Sequence, residues 1–260
     1  TVLGDFAVKL DTRLGRHPAS EGSPLEVIEA ELSKLARSAI SVVVPQEIVT
    51  PPIPLDRIEE LGILIPMLRS AGASGTEKSV LYAFALHINP EAPSLRAEAI
   101  AAMMKAFALL SPWLWETIQP RMTRRLLGFA EPFNSSYVTK LVQQDYWPDL
   151  AQLIDDYLDA NPTRDRDLDL LPLFAFLDEG RVRARLPHEK INRRPTYHYR
   201  LPDARVSDPT WSIAAEWNRW VTVERLAADR ERLLAACASF LRFGGDREVW
   251  ARMTPEFVLT

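Results

Sequence analysis

Strict alternation of polar and apolar residues in short segments constrains the fold of this chain more than any other feature. The clearest case is R-R-P-T-Y-H-Y-R-L-P, residues 193–202, because alternate side chains of a strand point to opposite faces. The polar face of this predicted strand holds Thr196, His198 and Arg200. The apolar face holds Tyr197, Tyr199 and Leu201. The pattern predicts a sheet with one polar and one packed face.

Three further segments predict strands of the same kind: D-F-A-V-K-L-D, the β-branched run that ends at Pro51, and V-L-Y-A-F-A-L-H-I-N-P. Their polar positions are Lys9, Asp11, Glu47, His87 and Asn89. The apolar faces need helices packed on them. We therefore predict an α+β fold in which helices cover one face of an antiparallel sheet and the other face is polar and concave.

Apolar residues at helical spacing predict helices between and after these strands. The predicted helices are 23–37, 55–70, 94–115, 136–145, 149–160, 168–179, 210–228 and 230–242. With 260 residues and 47% hydrophobic composition, the chain is long enough for a sizeable core, and we expect one domain over residues 1–260.

The charge and cysteine content exclude several classes of protein. The 31 basic and 35 acidic residues give a net charge of −4, which offers no electrostatic footprint for nucleic acid. The single cysteine, Cys237, excludes an intrachain disulfide and is expected to be a small buried residue. We see no apolar run near the roughly 20 residues that cross a bilayer, and no signal peptide, so we expect a cytoplasmic protein.

The polar faces carry residue types that suit a metal–nucleotide complex. Carboxylates and imidazoles can bind a divalent cation, and lysine and arginine can bind phosphate oxygens. The chain contains neither G-x-x-x-x-G-K nor G-x-S-x-G, so a nucleotide would be held by side chains on strands. Two plainer explanations remain: each strand is merely solvated, or the domain is purely structural and its polar faces do not converge.

Five motifs, taken in order, resemble the amidoligase family. They are D-F-A-V-K-L-D-T-R-L, P-Q-E-I-V-T-P-P-I-P-L, L-Y-A-F-A-L-H-I-N-P, N-P-T-R-D-R-D-L-D-L-L-P-L-F and R-P-T-Y-H-Y-R-L-P, which span nearly the whole chain. These proteins are carboxylate–amine ligases with a fold similar to glutamine synthetase and glutamate–cysteine ligase. The resemblance implies a curved antiparallel sheet that binds Mg-ATP on its concave face.

The resemblance also implies a reaction and a set of site residues. An acid would be activated as an acyl phosphate, and an amine would then displace the phosphate to form an amide or peptide bond. The implied metal ligands are Asp11, Glu47, His87 and His198. The implied ATP-binding residues are Lys9, Arg124, Arg164, Asn192 and Arg200, of which Lys9 and Arg200 would be catalytic. The substrates would be small-molecule or peptide carboxylates and amines.

Each assignment has a structural alternative. Glu47 could be an exposed acid at a strand end, His87 a half-buried histidine bonded to a carbonyl, and Lys9 and Asp11 partners in a cross-strand ion pair. Arg124 and Arg125, in M-T-R-R-L-L, could likewise bind an anion or form ordinary surface ion pairs, as could Arg164. For Arg164, the alternative is that Thr163 caps a helix start and the arginine pairs with Asp165 or Asp167 on the surface.

The chain departs from the family pattern in two places. The family pattern on the last strand of the sheet resembles Glu-x-Arg. In this chain His198 stands at the glutamate position, so one negative charge is missing from the polar face. The family also has an earlier strand with E-x-E, and we expect this chain to lack that N-terminal strand. An alternative function is therefore an inactive nucleotide-binding or interaction module of the same fold. A helical insertion at about residues 116–185 is expected to shape the substrate pocket.

Overall fold

The computed structural model describes residues 4–10, 46–70, 85–120 and 130–258. The chain divides into two units. The first comprises 1–84, 121–127 and 204–214, and the second comprises 85–120, 128–203 and 215–260. The described part is α+β, with mostly helices and small antiparallel sheets, as predicted for the fold class. The prediction of a curved, glutamine synthetase-like sheet stays a prediction.

The first unit contains a two-stranded antiparallel sheet of β1 (Ala7–Leu10) and β2 (Gln46–Val49). Both strands lie within segments predicted to be strands, and residues 11–45 between them lie outside the described residues. Val8 and Ile48 are register partners and are 65% and 41% exposed, so the described residues do not cover the predicted packing face. The helix predicted at 23–37 lies outside the described residues.

The predicted helix at 55–70 is present, but its two halves differ in pitch. Leu55–Ile63 forms a 3-10 helix, and α1 (Leu64–Ser70) continues it as an α-helix. Arg69 in the last turn donates from Nε to the Val206 carbonyl at 2.5 Å and from Nη2 to the Asp208 carbonyl at 2.6 Å. These two bonds hold α1 to the 204–214 segment of the same unit.

Helices form most of the second unit. They are α2 (Ala97–Ile118), α3 (Ser135–Leu141), α4 (Leu150–Ala160), α5 (Leu171–Leu177), α6 (Glu179–Arg185), α7 (Ile213–Ala228), α8 (Arg230–Arg242) and α9 (Arg247–Val258). Helix α2 packs against α8 and α9, and Trp250 of α9 donates its indole N–H to the Leu109 carbonyl at 2.7 Å. Cys237 is a free, buried thiol on α8, as expected.

Helix α2 corrects one expectation about membranes. It has 22 residues, and its most apolar 18-residue stretch has a mean hydropathy of 1.3, so the helix is long and apolar enough to cross a bilayer by length and composition alone. The expectation that no apolar run approaches this length is therefore wrong. Within this domain, however, 78% of the most apolar stretch is buried by packing, which is typical of the central helix of a protein core.

A small sheet lies beside these helices. The segment 85–91 pairs antiparallel with 196–203 through bridges at Ala85–Asp203, Ile88–Tyr199 and Glu91–Thr196. On its other side, β4 (His198–Tyr199) pairs antiparallel with β3 (Leu168–Asp169). The strand at 196–203 is therefore central, with one neighbour on each side.

Two predictions for this region need correction. The predicted helix at 168–179 begins later, because Leu168 and Asp169 form β3 and the helical part is split into α5 and α6 at Asp178. No helix begins at Thr163 either. Its hydroxyl accepts from the Asp165 amide at 3.1 Å, which makes a tight turn before β3.

Candidate functional site

The alternation at 196–201 is present in the structure. Tyr197, Tyr199 and Leu201 are at most 1% exposed, and both tyrosine rings contact Trp220 with centroids 5.6 and 5.5 Å away. These contacts fasten the strand to α7. His198 and Arg200 consequently lie on the opposite face, as the sequence pattern predicted.

The polar face is buried at its two main residues rather than open. His198 and Arg200 are each 4% exposed, because both side chains have partners inside the protein. His198 Nδ1 lies 3.0 Å from Asp169 Oδ2, and the two residues are register partners in β4 and β3. Arg200 Nη1 donates to the backbone carbonyl of Arg164 and lies 3.3 Å from Asp165 Oδ1.

Asp169 is the centre of the site's electrostatics. It is fully buried, and burial raises the pKa of its carboxyl to about 6. The Leu171 amide, which donates to Oδ1 at 2.9 Å, opposes this rise, as do the charges of three arginines: Arg200, Arg164 and Arg194. Three guanidinium charges thus act on this one carboxylate, and Arg200 is shared with Asp165.

Each of these arginines is held differently. Arg194 donates from Nη2 to Asn89 Oδ1 at 2.6 Å and from Nε to Thr196 Oγ1 at 3.0 Å, so two polar strand positions orient it. Burial and the nearby charge of Arg164 lower the pKa of Arg194, and the charge of Asp169 opposes this. Arg164 forms no ion pair with any residue in the described part of the chain. Its positive charge is available to an anion.

Asp167 forms a second buried carboxylate, two residues before Asp169. Its Oδ2 accepts from Ser111 Oγ at 2.9 Å and from Trp115 Nε1 at 3.0 Å, and its Oδ1 accepts from the Leu168 amide at 3.0 Å. Burial raises the pKa of this carboxyl to about 6. The alternative in which Arg164 pairs with Asp167 at the surface is therefore wrong, since Asp167 is fully buried and contacts Ser111 and Trp115 of α2.

The two predicted histidines lie together. The rings of His87 and His198 meet edge to face, with centroids 5.1 Å apart. Among residues 4–10, 46–70, 85–120 and 130–258, however, no group of three or more His, Cys, Asp or Glu side chains has ligating geometry. The described residues therefore do not fit a magnesium ion by themselves, and we derive no chemical step through one.

Five predicted site residues remain: Lys9, Asp11, Glu47, Arg124 and Asn192. Lys9 and Glu47 are register partners across β1 and β2 in the first unit, so the two positions share one face of that sheet. Asn192 is exposed, and its backbone carbonyl accepts from Arg194 Nη1 at 3.1 Å. Asp11 and Arg124 lie outside the described residues. The roles assigned to these five residues stay predictions.

Asp167 and Asp169 were not identified as site residues from the sequence. The signal that could have found them is D-R-D-L-D, residues 165–169, in which three acids alternate as they do on one face of a strand. The apolar run that follows favoured a helix from residue 168, so this alternation was overlooked. In the structure, Asp165 contacts Arg200, and Asp169 pairs with His198.

Comparison with known proteins gives one match. No curated protein and no solved structure matches the chain. A family model described as "putative amidoligase enzyme" matches residues 1–222, which include both histidines, the three arginines and both buried aspartates of the site. The chain therefore belongs to the amidoligase family.

Proposed function

We propose that this protein is an ATP-dependent ligase that joins a carboxylic acid to an amine. The observation that carries the proposal is the convergence of Arg164, Arg194 and Arg200 on a single buried carboxylate, Asp169. Both the acid substrate and the ATP phosphates are anions, and guanidinium groups bind carboxylate and phosphate oxygens through paired hydrogen bonds. A cluster of guanidinium groups therefore suits this reaction.

The reaction has two steps. A carboxylate oxygen attacks the terminal phosphorus of ATP, the bond from that phosphorus to ADP breaks, and an acyl phosphate forms. The amine nitrogen then attacks the acyl carbon, phosphate leaves with the bonding electrons, and the nitrogen loses a proton. Arginine charge would stabilise the negative charge that develops on the transferring phosphoryl group.

Within this proposal, Arg164 is the residue for direct contact with an anion. It has no carboxylate partner in the described part of the chain, whereas Arg200 is buried and holds the Arg164 carbonyl and Asp165. Arg200 would orient the 164–165 turn, and Arg194 would add charge from the neighbouring strand.

One observation favours a second candidate, a nucleotide-binding module of the same fold without turnover. The imidazole of His198 stands where the resemblance implies a metal-binding glutamate, and its Nδ1 is engaged by Asp169. A histidine held in this way would orient its neighbours without ligating a metal through that nitrogen. Phosphate release that requires both an acid and an amine separates the two candidates.

Calorimetry with Mg-ATP tests the proposal on three proteins: wild type, Arg164→Gln, and Arg193→Gln as the matched control. Arg193 is close in sequence to the cluster, but its side chain is 65% exposed and pairs with Glu179 at 3.0 Å. We expect Arg164→Gln to weaken binding at least about tenfold, roughly 1.4 kcal/mol, and the control to bind like wild type. Absence of magnesium-dependent ATP binding by wild type would contradict both candidates.

A further inference from the structure

A buried asparagine at the end of α4 has no internal role that the structure shows. Asn161 is fully buried, and neither its Oδ1 nor its Nδ2 has a hydrogen-bond partner in the described part of the protein. A buried amide without partners destabilises a fold, and such groups are rare in proteins. An asparagine kept in this state points to a partner that comes from outside the chain.

Helix capping does not account for this residue. Asn161 follows the last residue of α4, where asparagine is favoured if the backbone turns left-handed, but its φ of −134° is negative and the backbone is not left-handed there. Its backbone amide donates to the Tyr157 carbonyl at 2.8 Å, and any residue except proline could supply that bond. The side chain amide is therefore surplus to the local structure.

The same short loop carries a second unsatisfied polar atom beside an unpaired charge. Arg164 Nε is buried without a hydrogen-bond partner, and the guanidinium has no ion-pair partner among the described residues. The loop is stiffened by Pro162 and by the bond from the Thr163 amide to the Asn161 carbonyl at 2.8 Å. Arg166 Nε is also buried without a partner, but its guanidinium differs, since its Nη1 donates to the Pro132 carbonyl at 2.9 Å and pairs with Glu131 at 3.3 Å. Asn161 and Arg164 thus lie three residues apart in one braced loop, and each carries an unsatisfied polar atom.

The chemistry of this pair selects one kind of acid. A carboxamide offers a donor and an acceptor side by side, which complements the C=O and N–H of another amide, and a guanidinium complements a carboxylate. A free amino acid would bring an ammonium group beside Arg164 and Arg194, where like charges repel. An aliphatic acid would leave the Asn161 amide unpaired.

We infer that Asn161 and Arg164 recognise an acid substrate whose carboxylate lies next to an amide, such as an N-acyl amino acid or the C-terminal residue of a peptide. This inference rests on the proposed ligase function and names the class of its acid substrate. The amide of the substrate would pair with Asn161, and its carboxylate would contact Arg164.

Acyl phosphate trapping tests the inference, because hydroxylamine converts any acyl phosphate into a hydroxamate whatever the natural amine is. The probes, each with Mg-ATP, are a pool of the twenty N-acetyl amino acids, a pool of the twenty free amino acids, and a pool of straight-chain aliphatic acids. We expect the N-acetyl pool to give at least about tenfold more hydroxamate than either other pool, since an unpaired site amide rejects analogues strongly.

Variants at position 161 then assign the preference to the side chain. We expect Asn161→Leu, which keeps the branched arrangement of heavy atoms and has no polar ones, to lose the preference and to unfold at the same or a higher temperature without substrate. Asn161→Asp removes the donors and adds a negative charge, so it should also lose the preference. It serves as the second variant if the leucine protein does not fold.

The possible failures are distinguishable. Equal hydroxamate from all three pools, or a preference that survives both substitutions, would overturn the inference and leave the ligase function standing. A lower unfolding temperature for Asn161→Leu with an unchanged preference would show that the amide is held by internal water. Hydroxamate from none of the pools would overturn the proposed function and the inference with it.

Discussion

Replacement of Asp167 by asparagine should change how the free energy of unfolding depends on pH. Asp167 is fully buried and accepts hydrogen bonds from Ser111, Trp115 and the Leu168 amide. Burial nevertheless raises the pKa of its carboxyl from the ordinary 3.8 to about 6. The folded protein therefore binds this proton more tightly than the unfolded chain does.

The sign and the magnitude follow from that difference. The stabilisation from this group is fully present below pH 3.8 and is lost as the pH rises through about 6. One pKa unit corresponds to about 1.4 kcal/mol, so the rise to about 6 amounts to about 3 kcal/mol. Asparagine does not titrate. Any change in hydrogen bonding that it causes shifts the free energy equally at every pH and leaves the slope unaffected.

Urea denaturation of wild type and Asp167→Asn at about pH 4 and pH 7.5 measures this effect. We expect the difference in unfolding free energy between the two proteins to change by about 2 to 3 kcal/mol over that range, in favour of the variant at the higher pH. Asp178→Asn is the control. The backbone amide and the guanidinium of Arg181 lower the pKa of the Asp178 carboxyl, so the difference in unfolding free energy should change in the opposite direction, in favour of wild type at the higher pH. Parallel pH dependences for wild type and Asp167→Asn would refute the reasoning.

Two further predictions concern the core. Lys105 is fully buried and donates from Nζ to the Leu141 and Gln143 carbonyls at 2.5 and 2.7 Å. Lys105→Met should lower the free energy of unfolding by about 2 kcal/mol, because both carbonyls lose their donor, and an unchanged urea midpoint would contradict this. Phe107→Ala should lower the free energy of unfolding by about 3 to 5 kcal/mol, because it opens a cavity at a fully buried site. The control Phe176→Ala, at a residue that is 45% exposed, should lower it by less than about 1 kcal/mol. Equal losses in the two variants would contradict the assigned burial.

The orientation of the central strand could be predicted from sequence because one physical rule determines it. Side chains alternate, so burying Tyr197 and Tyr199 against Trp220 forces His198 to the other face. The same rule placed His87 with His198, and their rings are in contact. Helices α2, α4 and α8 were likewise predicted to within a few residues, since each has a long apolar face at regular spacing.

The partners of the polar side chains could not be predicted in this way. Ser111 and Trp115 meet Asp167 from positions 56 and 52 residues away, and nothing in the local pattern marks them as hydrogen-bond donors. Strand β3 has only two residues, and its leucine-rich surroundings fit helical spacing equally well. Pairing with β4 determines its conformation, and that pairing is a tertiary interaction.

The pairing of β3 with β4 also bears on the departure from the family pattern. The resemblance implies a carboxylate at position 198, and the imidazole there removes one negative charge from the face. Asp169 is the register partner of His198, and its carboxylate oxygen lies 3.0 Å from the imidazole. A carboxylate is therefore present on the adjacent strand, among the same three arginines. The negative charge that is absent at position 198 is therefore supplied from position 169, one strand away, and the assay for turnover decides between the two candidates.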